Sequence, residues 1–288
     1  MIPSWFLLAT LCGICYALEG VWIKKLKDFK PEFLAWCAAT LTIPFFWAAL
    51  WLQGWPKVTP KFYLPFIMCL AGNAAGLTCY FRAFSYGDLS LVFPLLALTP
   101  AWMLLTAKSI TGQFPAGLGL AGVLMSTLGC YALGLDGGGL LSPFKNLWRN
   151  PGGRWALIAS VIWSVSSNFD KRAIAASSAT FHPASHAIVL SLILYAAFGR
   201  RCREDFKRLA TFDGFWRIMV LAVLVSALTL SQYMSVARTQ AAYVVAVKRG
   251  GMVLGVLMGW LILKEPFGGR RFVLSLVVLA GLLLLLRV

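Results

Sequence analysis

Hydrophobic residues in this chain fall in long, nearly continuous runs rather than in the alternating or one-faced patterns of soluble strands and helices. Ten such runs, at about 3–23, 33–52, 62–85, 88–107, 115–134, 155–175, 183–199, 214–236, 241–263 and 270–287, are bounded by charge, proline and glycine. Each predicts a membrane-crossing helix. Most connections are short. The longest, Leu135–Arg154, contains Gly137-Gly138-Gly139 and Pro151-Gly152-Gly153 and predicts a flexible linker. The expected division is a first repeat over 1–136, a linker over 137–154 and a second repeat over 155–288. The first run lacks a basic leader and a small-residue cleavage site, so it is expected to stay in the mature chain.

The two halves are similar in sequence. Trp5-Phe6-Leu7-Leu8-Ala9-Thr10 matches Trp155-Ala156-Leu157-Ile158-Ala159-Ser160, and Lys30-Pro31 falls opposite His182-Pro183. In the same order, Ala83–Asp88 falls opposite Ser235–Gln240, and Gln113 opposite Glu265. Five spans is an odd number, so a second copy must lie upside down relative to the first. The fold class expected is an all-α membrane protein, ten transmembrane helices in two inverted five-helix repeats. Secondary transporters use this architecture, with the solute site near the midplane where the repeats meet.

Composition agrees: 60% of residues are hydrophobic and the mean hydropathy is +0.78, which excludes a soluble α/β domain. The net charge of +16 lies in short clusters between spans, a topology signal rather than a nucleic-acid footprint. The loops opposite the termini carry most of it, including Lys24-Lys25 and Arg200-Arg201-Cys202-Arg203. The terminal side holds Lys57, Lys61, Lys108, Lys171, Arg172, Arg238 and Arg287. By the positive-inside rule the termini would therefore lie outside. The seven cysteines are irregularly placed, most of them in apolar runs, and give no disulfide framework; Cys12 and Cys15 read as small hydrophobes. His182 and His186 have the spacing of two helical metal ligands, but no third ligand is near them in sequence, so neither a metal site nor a cofactor is expected. Without a phosphate loop, nucleophile elbow or paired-carboxylate motif, the chain is not expected to be an enzyme.

The ninth run holds the candidate chemistry. Lys248 and Arg249 lie about eight residues, or roughly 12 Å of helix, from its start near Ala241. Cations at that depth face a bundle interior or a wet cavity, and the pair favours an oxyanion. Consecutive helix residues point about 100° apart, so only the long stems can converge on one ligand. Gly251, Gly255 and Gly259 form a flat stripe for helix packing. Arg82 either adds a third positive group or snorkels to a membrane face. Glu19 either pairs with Lys24-Lys25, balances the cation pair or acts as a protonatable coupling site. Asp170 is expected in a local or interhelical ion pair, and Glu265 as a structural or gate residue. Polar and aromatic groups at cavity depth are Tyr16, Asn73, Tyr80, Trp102, Asn168, Gln232, Tyr233 and Tyr243. Tyr80 and Tyr243 rank first because each lies within two turns of a candidate cation. Pro94 and Pro100 predict a kinked fourth span.

With these residues in order, the chain resembles the drug/metabolite transporter superfamily, in particular its EamA-type carriers, over its whole length. The run Val247-Lys248-Arg249, then Gly259-Trp260, then Glu265-Pro266 is similar to the family's ninth span. Tyr86–Pro94 and Asp170-Lys171 are similar to its fourth and sixth. The Lys248-Arg249 pair resembles that of triose-phosphate and nucleotide-sugar carriers, which implies a phosphate-binding role and an anionic solute. The family's terminal glutamate of the first half is replaced by Gln113. The resemblance implies cytoplasmic termini, against the charge distribution, and a place in a bacterial inner membrane. The expected partners are a small anionic solute and the lipid bilayer, with no nucleic acid. Two other readings stay open: a proton-coupled exporter of cationic or aromatic compounds using Glu19, and a non-transporting subunit that binds a lipid phosphate.

Overall fold

In the first span, Ser4–Lys24, Leu7, Leu11, Ile14 and Leu18 form an exposed stripe while Ala9, Cys12, Tyr16 and Ile23 are buried. The helix turns aliphatic side chains to lipid and small or polar ones to its neighbours, the arrangement a bilayer solvent demands. Val273, Leu276, Leu279 and Leu283 make a similar exposed stripe on the tenth span, Gly269–Leu286. The computed structural model describes residues 2–133, 135, 141, 150–263 and 269–288, and their side chains except at 89, 90 and 255–263. Glu265 lies outside the described residues.

Seven helical stretches are long and apolar enough to cross a membrane. The fifth span (Gly117–Leu133), the sixth (Pro151–Ala175) and the ninth (Ala241–Leu263) complete ten. Two spans are broken. The second runs as Pro31–Thr40 and Ile43–Gln53, with Pro44 in the first turn of the second piece. The fourth runs as Leu89–Ala97 and Thr99–Thr111, with Pro100 at the start of its second piece. Pro44 and Pro100 each lack a backbone donor and would clash with a preceding turn, so the chain stops and restarts just ahead of them, whereas Pro94 lies inside the first piece of the fourth span. Pro151-Gly152-Gly153, expected from composition to be linker, forms the first turn of the sixth span. Proline at N1 presets the backbone angle, and Asn150 accepts a hydrogen bond from Gly153 N at 3.2 Å. Gly152 packs on the backbone of Gly87, leaving no room for a side chain.

Packing reveals the repeat. The third span lies on the sixth and the eighth (Phe212–Val236) on the first; the fourth lies on the sixth and the ninth on the first. The second lies on the seventh (Phe181–Phe198) and the fifth on the tenth. Exchanging each span for its counterpart maps the first pairing onto the second and the third onto the fourth, and leaves the last two in place. That is the pseudo-two-fold relation of an inverted repeat. The fifth and tenth spans meet through Gly122 and Gly281, where an added Cβ would press on the other helix's backbone.

Candidate functional site

At the centre, the first and ninth spans touch backbone to backbone. A Cβ built on Gly251 would overlap the carbonyl of Gly13, and one on Gly13 would press on the carbonyls of Val247 and Lys248. This contact holds the turn that carries Lys248 and Arg249 against the turn that carries Cys12 and Tyr16. Both cations reach the Tyr16 ring: the Arg249 guanidinium lies 4.6 Å from its centroid and Lys248 Nζ 5.4 Å. The long stems thus converge on an aromatic face that favours positive charge.

Arg249 is 1% exposed. Its Nη2 donates to Thr99 Oγ1 at 3.2 Å, at the break in the fourth span. Its Nε and Nη1 have no hydrogen-bond partner among the described residues. Lys248 Nζ donates to Gln232 Oε1 at 2.8 Å and lies 5.9 Å from the Trp163 ring. Among the described residues no carboxylate forms an ion pair with either cation. A buried donor left unpaired costs about 1–3 kcal/mol, more when charged.

Both cations border a cavity of about 140 Å³ with walls from every span except the fifth and tenth. Both helix breaks face it, through Thr42 and Thr99. Glu19 is on its wall and accepts a hydrogen bond from Tyr80 Oη at 3.0 Å. Of the three alternatives for Glu19, pairing with Lys24-Lys25 is not formed: Lys24 donates to the Gly87 carbonyl and Lys25 lies over the Trp22 ring. Tyr80 also packs on Trp163.

Seven residues along the third and sixth spans, about 10 Å of helix away, Asn73 and Asp170 reach the same cavity. The interhelical partner of Asp170 is His182, whose Nε2 lies 2.9 Å from Asp170 Oδ1. Asn73 Nδ2 donates to both carboxylate oxygens, at 3.3 and 3.4 Å, and lies 3.2 Å from His186 Nε2. Lys171 instead donates to the carbonyls of Val236 and Thr239.

Of the expected site residues, Lys248, Arg249, Glu19 and Tyr80 therefore share one cavity. Arg82 and Tyr243 are elsewhere. Arg82 is engaged by Glu32, with Nε 2.7 Å from Oε1, and stacks on Trp155. Tyr243 packs against Trp5, with its hydroxyl over Gly119 of the fifth span. Asn73, Gln232 and Tyr233 reach the cavity, whereas Asn168 is spent on Thr106 and the Ser164 carbonyl. Thr99, Trp163 and His186 also line it and were not expected to. The proline pair around Thr99 was the available signal for the first.

The family model for the EamA-like transporter family matches residues 3–135 and again residues 150–287. No curated protein matches the chain in sequence. A protein of known crystal structure, 14% identical, superposes with a TM-score of 0.74 over 99% of this chain and 98% of its own. At that identity the likeness is one of fold.

Proposed function

The chain belongs to the EamA-like transporter family, whose members are membrane transporters of small compounds, and from that premise we propose that it carries a small organic anion, phosphorylated or carboxylated, by alternating access. The observation that supports the anion is the state of Arg249: buried on the cavity wall beside Lys248, with Nε and Nη1 unpartnered among the described residues and no carboxylate paired with either cation. An anion entering the cavity loses hydration, and a planar guanidinium fork with a mobile ammonium beside it offsets that loss. About 140 Å³ admits several waters or the charged end of a small metabolite. The two five-span repeats rock about this chamber in a bacterial inner membrane, the second beginning with the helix Pro151–Ala175.

Counterflow in proteoliposomes tests the reading. Lys248→Glu and Arg249→Glu, made separately, abolish exchange of anionic solutes, and Glu19→Gln does not. Active Lys248 and Arg249 variants with a dead Glu19→Gln contradict it. That result favours a second reading, proton-coupled export of cationic or aromatic compounds, for which the Tyr80–Glu19 bond beside Trp163 is the supporting observation.

A further inference from the structure

A second cluster on the cavity wall is unused by the anion reading. Cys69 of the third span, Asp170 of the sixth and His186 of the seventh each present one donor atom, all within 4.8 Å of one another and all buried. From sequence, His182 and His186 had no third ligand; folding brings Cys69 and Asp170 to them from other helices. We propose that Cys69, Asp170 and His186 form a binding site for a divalent transition metal of the zinc class.

The donor set argues for that class. Thiolate and imidazole select zinc-like ions over magnesium or calcium, which require oxygen shells. In a tetrahedral zinc site, with bonds of about 2.0–2.3 Å, donors sit about 3.3–3.8 Å apart. Closing the present spacing takes about 1 Å of side-chain movement on that geometry. His186 Nε2 lies 3.2 Å from Asn73 Nδ2, where its lone pair accepts; a metal takes that lone pair in place of the Asn73 hydrogen bond. His182 Nε2, on Asp170 Oδ1 at 2.9 Å, orients the carboxylate as outer-shell partners of metal ligands do. His182 is itself fixed between Phe62, Phe66 and Tyr233, which keep the surroundings apolar.

Three protein ligands leave a fourth position. Asp170 and His186 both border the cavity, so that position opens toward the chamber and takes water or a solute donor atom. Cys69 Sγ now donates to the Phe66 carbonyl at 3.2 Å. Metal binding exchanges this thiol proton for a metal–sulfur bond and releases the proton to solvent, so affinity rises with pH. The bound ion ties the third span, in the first repeat, to the sixth and seventh in the second.

The inference does not depend on the identity of the solute, and its test does not read transport. Purified full-length protein is titrated with Co²⁺, and the thiolate-to-cobalt absorption band is followed. The expected result is one equivalent bound with a thiolate band that Zn²⁺ displaces. Cys69→Ser and His186→Gln, each read separately, lose that band, while Cys37→Ser keeps it. His182→Gln weakens binding by about 10–100-fold. Absence of a thiolate band in the unsubstituted protein, or a band that survives both Cys69→Ser and His186→Gln, overturns the assignment.

Discussion

Gly251 of the ninth span rests directly on the Gly13 carbonyl of the first, and this contact sets where both buried cations stand. A methyl group at position 251 must push the two backbones apart, because no side chain is there to rotate away. Gly250, next in sequence, faces the flexible end of Leu282 instead. Gly251→Ala is therefore expected to cost about 1–3 kcal/mol and to impair transport, with Gly250→Ala milder on both counts. Melting temperature in detergent and counterflow in liposomes check the ordering; equal effects would contradict it.

Tyr80 supplies the one described side-chain hydrogen bond to Glu19. Tyr80→Phe leaves the buried carboxylate without that donor and is expected to cost about 1–3 kcal/mol. Glu19→Gln keeps an acceptor for Tyr80 while removing a negative charge from the chamber, so an anionic solute should bind at least as tightly. Melting temperature checks the first and isothermal titration the second, and weaker anion binding by Glu19→Gln would count against the account.

Arg82 and Glu32 form a partly buried pair, 24% and 16% exposed, that links the second and third spans. Arg82→Ala is expected to lower stability by about 1 kcal/mol and leave solute affinity unchanged. The exchanged double variant, Arg82→Glu with Glu32→Arg, should recover most of the lost melting temperature. Lost anion binding at an unchanged melting temperature would return Arg82 to the site.

Asp28, in the loop between the first two spans, meets Arg217 at 2.7 Å. Burial pushes its carboxyl up, but hydrogen bonds from Arg217 outweigh this and leave it below the ordinary Asp range. A depressed acid stabilises the fold above its unfolded pKa and loses that contribution as pH falls through the folded value. Asp28→Asn should lower the melting temperature at pH 7, and the difference should close below about pH 4. A pH-independent difference would show that the charge is not responsible.

The ten spans were legible because lipid imposes unbroken apolar runs, and Lys248-Arg249 was legible because two cations interrupt one of them. Pro100 marked the fourth-span break in the same way, while Pro94 lies within the helix Leu89–Ala97. Helix rotation and partner identity were not legible. Tyr243 was close to Lys248 along the chain, yet five residues turn it about 140° around the helix, toward Trp5 and Gly119. Arg82 and Glu32 lie on different spans, and which faces meet depends on packing that neither local sequence encodes. The same holds for Cys69, Asp170 and His186: each is an ordinary residue in its own helix, and only three-helix packing makes them neighbours.

The most direct test is a thermal-shift titration of purified protein with phosphorylated, carboxylated and cationic metabolites. A ligand at a hundred times its Kd stabilises the folded state by about 2.7 kcal/mol. Some member of the anionic set is expected to raise the melting temperature of the unsubstituted protein, and Arg249→Gln to weaken that response at least about tenfold. Stabilisation by cations alone, or an anion response that Arg249→Gln leaves intact, would contradict the account.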